Sequence, residues 1–143
     1  MNKNGFFLVN KPLGWTSFDV VQKLKKKIGL MKAGHAGTLD PVATGLIIVL
    51  AGDYTKRFNE FSSGIKEYKT RILFGVYSNT DEITGKVRVE TDVRITDAKK
   101  GFEGRAESFI SANTGLINQK PPDFSSVKLN GKPLYSYARR GIK

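Results

Sequence analysis

Residues 34–45 read GHAGTLDPVATG, a glycine-rich segment that carries one carboxylate, Asp40, directly before a proline. Its glycines permit backbone angles that a Cβ disfavours, so the chain can bend sharply here. Pro41 fixes its own φ and biases Asp40 towards extended or turn geometry. The segment predicts a stiff loop between two ordered elements, which is the setting that a nucleophile or a base requires. The structural alternative is an Asp that only caps the next turn.

The first half of the chain predicts two strands and two helices around this loop. Residues 5–9 are typical of a strand, and Thr16 or Ser17 caps a helix that ends near Ile28, with Gly29 after it. One face of that helix is apolar, and its predicted members are Phe18, Val21, Leu24 and Ile28. The apolar run 46–51 predicts a buried strand, and a short helix capped by Thr55 follows it to Phe61.

The second half continues with the same kinds of element. Residues 68–74 alternate as a strand, and residues 87–90 are its predicted partner. A helix is predicted over 97–112, and a strand over 124–129 enters a type I′ hairpin at Asn130-Gly131. Residues 135–139 begin a further helix. The predicted class is α+β, with a mixed, largely antiparallel sheet and flanking helices.

Charge and composition limit the possible partners and chemistry. The 143 residues include 24 basic and 13 acidic side chains, a net charge of +11, which attracts polyanions such as nucleic acid. A basic but inert surface is the alternative. There is no cysteine and only one histidine, so disulfides, Cys nucleophiles and multi-His metal centres are excluded. We expect no cofactor, no membrane span, no signal peptide and a cytoplasmic location.

Motifs for other activities are missing, with one exception. The sequence contains neither a P-loop nor a dinucleotide-binding glycine fingerprint. Gly34 and Gly37 do form a Gly-x-x-Gly, the pattern of the loop by which KH modules clamp RNA. This pattern keeps a non-catalytic RNA-binding module open as an alternative function.

Four sequence blocks together resemble the TruB family of bacterial tRNA pseudouridine synthases, which act on the T-loop uridine. They are NKPLGWTS at 10–17, the Asp40 segment at 34–45, Lys66-Glu67-Tyr68 continuing to Phe74-Gly75 and Thr80-Asp81, and QKPPDFSSVK at 119–128 with Gly131, Tyr135, Ala138, Arg139 and Gly141. The blocks occur in the family's order and span nearly all of residues 5–141. The resemblance implies the pseudouridine synthase fold and a tRNA T-stem-loop as substrate, with no protein partner and a monomeric state.

The resemblance also implies roles for individual residues. Asp40 would be the catalytic nucleophile, and Tyr68 would stack against the target base and assist removal of its C5 proton. The implied substrate-binding residues are His35, Gly34, Gly37, Thr38, Lys66 and Lys11. For Lys11, together with Pro12, a role in setting the turn that supports the Asp40 loop is favoured over contact with the substrate. His35 has a solvated loop histidine as its alternative, and Tyr68 a half-buried strand tyrosine.

Members of this family are longer than 143 residues. Residues 1–143 correspond to the N-terminal portion of their catalytic domain, without its C-terminal half and without a PUA-type RNA-binding domain. That further half carries an arginine that pairs with the aspartate, so we expect residues 1–143 alone to be inactive. We also expect exposed apolar surface near Asn130-Gly131 and Tyr135, with a tendency to dimerise or aggregate.

Overall fold

A computed structural model describes residues 3–89 and 95–142, with side chains for residues 3–89 and 101–142. The chain forms two compact units, Met1–Lys69 and Thr70–Lys143. Each unit combines helices with antiparallel strands, so the α+β class is confirmed at this level. No helix within the described ranges is long and apolar enough to cross a membrane.

The first unit is built on a three-stranded antiparallel sheet with one helix packed against it. Its strands are β1 (Gly5–Lys11), β2 (Ala33–His35) and β3 (Gly45–Ala51), in the order β1-β3-β2. The helix is α1 (Ser17–Ile28). The core lies between them and consists of Val20, Val21, Ile47 and Val49, with Phe7, Val9, Leu24 and Ala33 packed around it. β1 alternates accordingly, because successive side chains of a strand point to opposite faces.

Helix α1 begins and ends as its sequence predicts. The Thr16 hydroxyl accepts the Asp19 N–H, and the Asp19 carboxylate accepts the Thr16 N–H, which forms a capping box. Gly29 ends the helix in the left-handed conformation, with φ of 67°. The predicted apolar face needs one correction. Phe18 is 63% exposed, because the face that meets the sheet runs through Ser17, Val20, Val21 and Leu24.

A 3₁₀-helix at Gly52–Arg57 leads into α2 (Phe58–Ser62). The prediction that Thr55 caps this helix is wrong. Thr55 lies inside the 3₁₀-helix, and its hydroxyl donates back to the Gly52 carbonyl at 2.8 Å instead of accepting an N–H.

Within the described residues, the second unit contains two hairpins and two helices. β4 (Val76–Ser78) pairs with β5 (Val87–Val89), and β6 (Lys128–Leu129) pairs with β7 (Lys132–Pro133). The helices are α3 (Ile95–Ala112) and α4 (Leu134–Ala138). The β6–β7 turn has positive φ at both Asn130 (50°) and Gly131 (77°), which confirms the predicted type I′ hairpin.

Two strand predictions in this region were too long or misplaced. The strand predicted over 68–74 is not formed, and pairing begins only at β4, after Gly75 with its φ of 77°. Ile72, Leu73 and Phe74 are all more than half exposed, although the Phe74 ring meets that of Phe102 edge-on. The alternating side chains there are therefore not buried against a sheet partner or a core. The strand predicted over 124–129 shortens to β6. Residue 90, the predicted end of β5, lies outside the described residues.

Apolar side chains are exposed in both units. Near the β6–β7 turn, Leu129 is 55% exposed and Tyr135 is 38% exposed, in agreement with the surface expected there. On β1 and β3, Phe6, Leu8 and Leu46 lie on the sheet face opposite α1 and are also exposed. This second face is covered only in part by the described residues, because Phe6 packs against Tyr54 and Phe61 and its partner Leu50 is buried.

Candidate active site

Asp40 lies in the loop of residues 36–44, here called the Asp40 loop, which joins β2 to β3. Its side chain is exposed, and it makes no hydrogen bond with any other described residue. The Ala43 N–H donates to the Asp40 carbonyl at 3.0 Å, which closes a four-residue turn with Pro41 in its second position. The carboxylate of Asp40 is therefore exposed to solvent, while its backbone is held in a hydrogen-bonded turn.

The residue before Asp40 is held by the start of helix α1. The Ser17 hydroxyl accepts the Leu39 N–H at 2.9 Å and donates to the Leu39 carbonyl at 3.2 Å. Ser17 is 3% exposed, so water competes little for these bonds. Both backbone groups of Leu39 are thus satisfied by a single side chain.

The residue after Asp40 is held by the turn that follows β1. The Gly14 N–H donates to the Pro41 carbonyl at 2.8 Å, and the Lys11 ammonium donates to the same oxygen at 3.3 Å. Gly14 has φ of 80°, a left-handed conformation that favours glycine. Lys11, Gly14 and Ser17 therefore hold the Asp40 loop on both sides of its carboxylate.

Lys11 is the last residue of β1 and is completely buried. Its Nζ donates to the carbonyls of Pro12 at 3.1 Å and Trp15 at 2.6 Å as well as to Pro41. Three donors meeting three carbonyl oxygens satisfy the hydrogen-bonding capacity of an ammonium. This geometry favours the supporting role for Lys11 over contact with a substrate.

His35 is the last residue of β2 and enters the Asp40 loop. Its Nδ1 lies 2.6 Å from the Gly37 carbonyl. Because a carbonyl only accepts, Nδ1 carries the proton of this bond, and a neutral ring keeps its lone pair on Nε2. Gly37 has φ of 123°, which favours glycine there. The imidazole is thus oriented by the loop that carries Asp40.

The other predicted substrate-binding residues lie on the Asp40 loop, in β2 and after α2. Thr38 is exposed on the Asp40 loop. Gly34 lies in β2 opposite Leu50, so the Gly-x-x-Gly segment is not a loop of its own. Lys66 donates to the carbonyls of Ser62 at 2.6 Å and Gly64 at 3.2 Å, just after α2.

Tyr68 lies in a segment without regular structure and is 71% exposed. No hydrogen bond or ring contact joins it to the Asp40 loop among the described residues. The structure thus brings His35 and Thr38 to the loop of Asp40, whereas a stacking position for Tyr68 stays a prediction.

Ser17 and Gly14 were not among the predicted site residues. The sequence signal for Ser17 was the consecutive Thr-Ser at the start of a helix. A helix needs one N-cap hydroxyl, and Thr16 supplies it, so the second hydroxyl is available for another partner.

The hydroxyl and the backbone N–H of Thr16 both donate to the Asp19 carboxylate, and these bonds hold the pKa of Asp19 below its usual 3.8.

The sequence as a whole carries more basic side chains than acidic side chains. Two ion pairs join described residues, Lys56 to Asp53 at 3.0 Å and Arg57 to Glu60 at 2.6 Å. Basic residues outnumber acidic residues by 11 in the whole sequence. Even if every acid formed one ion pair, 11 basic side chains would remain without an acidic partner. Such a surplus is available to a polyanionic ligand.

Comparison with known proteins agrees with the resemblance. Residues 25–143 match the model of the TruB family pseudouridylate synthase (N terminal domain). Curated relatives named tRNA pseudouridine synthase B are 41% identical over 140 residues in Desulfotalea psychrophila, 41% over 139 in Syntrophus aciditrophicus and 39% over 142 in Endomicrobium trichonymphae. These alignments cover 97%, 97% and 99% of this chain.

The same alignments cover 55%, 43% and 60% of the respective relatives, so the chain spans about half the length of the proteins that it matches. The family model, by contrast, covers most of this chain, and the matched residues include the Asp40 loop. The chain therefore belongs to the TruB family of pseudouridylate synthases.

Proposed function

We propose that the protein isomerises a T-loop uridine of tRNA to pseudouridine, with Asp40 as the nucleophile. Family membership and the names of the relatives support the reaction and the tRNA substrate. Since the chain spans about half of those relatives, the activity is assigned to a protein of their full length. The cytoplasm is its proposed location, because tRNA is the substrate.

The observation that carries the choice of Asp40 is the way its loop is held. Hydrogen bonds to Leu39 and Pro41 fix the backbone on both sides, while the carboxylate itself stays exposed. A nucleophile needs this combination of a fixed position and an accessible reacting atom.

The proposed reaction breaks the N1–C1′ bond of uridine, rotates the base and forms a C5–C1′ bond. C5 loses a proton and N1 gains one, so the product has the same composition as the substrate. Bond breaking develops positive charge at C1′, which an adjacent carboxylate stabilises or traps covalently, as in glycosidases. Attack by Asp40 at C1′ and attack at C6 of the base both satisfy this balance.

The target base must leave the T-loop stack before a side chain can reach C1′, at a cost of a few kcal/mol. His35, held by the Gly37 carbonyl, is proposed to take part in the stack near the space that the base leaves. Gly34, Gly37 and Thr38 are proposed to contact the extruded nucleotide. Tyr68 is proposed to stack on the base, and its exposed position leaves the ring accessible to an incoming ligand.

The experiment is tritium release from tRNA labelled with 5-³H-uridine, with the full-length protein. Asp40→Asn retains the shape of the side chain but removes an effective nucleophile, so we expect no turnover and nearly unchanged tRNA binding in a gel shift. Asp53→Asn is the matched control, because Asp53 is exposed and lies outside the loop. We expect it to retain wild-type activity.

Turnover by pure Asp40→Asn protein would overturn the assignment of the nucleophile. If the wild-type protein binds tRNA but releases no tritium, the non-catalytic RNA-binding alternative replaces the proposed enzyme. The net charge supports RNA binding in either case, so the release assay is what separates the two functions.

A further inference from the structure

The Ser17 hydroxyl makes two hydrogen bonds to one residue that is 22 positions away in the sequence. It accepts from the Leu39 N–H at 2.9 Å and donates to the Leu39 carbonyl at 3.2 Å. The capping box of α1 is complete without it, because Thr16 and Asp19 supply both of its bonds. A buried hydroxyl at the first helical position therefore serves the loop and not the helix end.

Leu39 directly precedes Asp40, so the backbone of Leu39 determines the position of the Asp40 backbone, from which the carboxylate extends. The N–H bond restrains the chain on the φ side of Leu39, and the carbonyl bond restrains it on the ψ side. Pro41 restricts the conformation of Asp40 from the other direction. The Asp40 carboxylate has no hydrogen bond of its own to a described residue, and its position depends on these backbone restraints.

We propose that Ser17 is a positioning residue for Asp40, acting through the backbone of Leu39. The proposal rests on the proposed function, in which the Asp40 carboxylate must meet the reacting carbon at attack distance. A displacement of about 1 Å in such a group can reduce the rate by about a hundredfold. The hydroxyl of Ser17 thus contributes to turnover without touching the substrate.

The test uses Ser17→Ala and Ser17→Thr in the full-length protein, assayed by tritium release from 5-³H-uridine tRNA. Ser17→Ala removes both hydrogen bonds, and we expect kcat to fall about 10- to 100-fold while KM changes less than about threefold. Ser17→Thr keeps the hydroxyl, and we expect it to restore most of kcat.

Thr16→Ala is the matched control, because it removes the neighbouring hydroxyl and the helix cap but not the bonds to Leu39. We expect it to lower Tm as much as Ser17→Ala does, with kcat close to wild type. Three results would each overturn the proposal: an unchanged kcat in Ser17→Ala, an equal loss of kcat in Thr16→Ala, or no recovery in Ser17→Thr.

Hydrogen exchange at the Leu39 amide separates this inference from the proposed function. If Ser17 holds the loop, exchange at that amide is at least about tenfold faster in Ser17→Ala and near wild type in Thr16→Ala. This readout needs no activity. A wild-type protein that releases no tritium contradicts the function alone, whereas unchanged exchange in Ser17→Ala contradicts the positioning role alone.

Discussion

Replacing Lys11 with Met tests whether the buried ammonium holds the Asp40 loop in place. Met matches the aliphatic part of the lysine side chain but has no donor. The change removes the bonds from Nζ to the carbonyls of Trp15 at 2.6 Å, Pro12 at 3.1 Å and Pro41 at 3.3 Å. Pro41 keeps a second donor, the Gly14 N–H, so the other two carbonyls lose most.

Two opposing terms determine the size of the effect. A hydrogen bond that involves a charged group contributes about 1.5–3 kcal/mol, and the short bond to Trp15 accounts for the largest share. Burying an ammonium away from water destabilises the folded state by several kcal/mol, and this penalty is absent in the Met variant. We expect the free energy of unfolding to fall by about 2–4 kcal/mol, which corresponds to roughly 10 °C in Tm.

The assay is thermal unfolding followed by circular dichroism, with Lys23→Met as the control. Lys23 lies on α1 and is exposed, so its replacement should change stability by less than about 0.5 kcal/mol. Faster hydrogen exchange at the Gly14 amide in Lys11→Met would place the change at the loop. Equal Tm values for Lys11→Met and Lys23→Met would refute the reasoning, because the three bonds would then stabilise nothing.

Two further predictions concern charge. The affinity for tRNA should fall about tenfold or more between roughly 50 and 200 mM salt, because each neutralised phosphate releases counterions, and a flat log K against log salt would contradict a role for the +11 charge. The pKa of Asp19 is held below 3.8, so its carboxylate stabilises the fold above that pH and loses this effect as pH falls through the lower folded pKa. Asp19→Asn should therefore lower Tm at about pH 6, and the difference from wild type should shrink as pH falls below the usual range of an Asp carboxyl. A constant difference in Tm across that range would show that the carboxylate charge is not responsible.

The sequence alone determined the features that depend on a few neighbouring residues. Thr16 and Gly29 set the two ends of α1, and Asn130-Gly131 sets the type I′ turn, because capping and turn chemistry are local. The glycine-rich Asp-Pro segment likewise indicated a carboxylate in a constrained loop. Its assignment as a nucleophile came from the family resemblance and stays a proposal.

Strands and contacts between distant residues were decided by the tertiary structure. Residues 68–74 alternate like a strand, but a strand forms only where it finds a partner and a surface, and pairing begins later, at β4. Ser17 reaches Leu39 across 22 positions, and Lys11 reaches Pro41 across 30. No local pattern encodes such bonds, because they exist only once α1 and the sheet have packed and brought both segments together. The sequence therefore predicted a carboxylate in a constrained loop, whereas the groups that hold this loop became visible only in the fold.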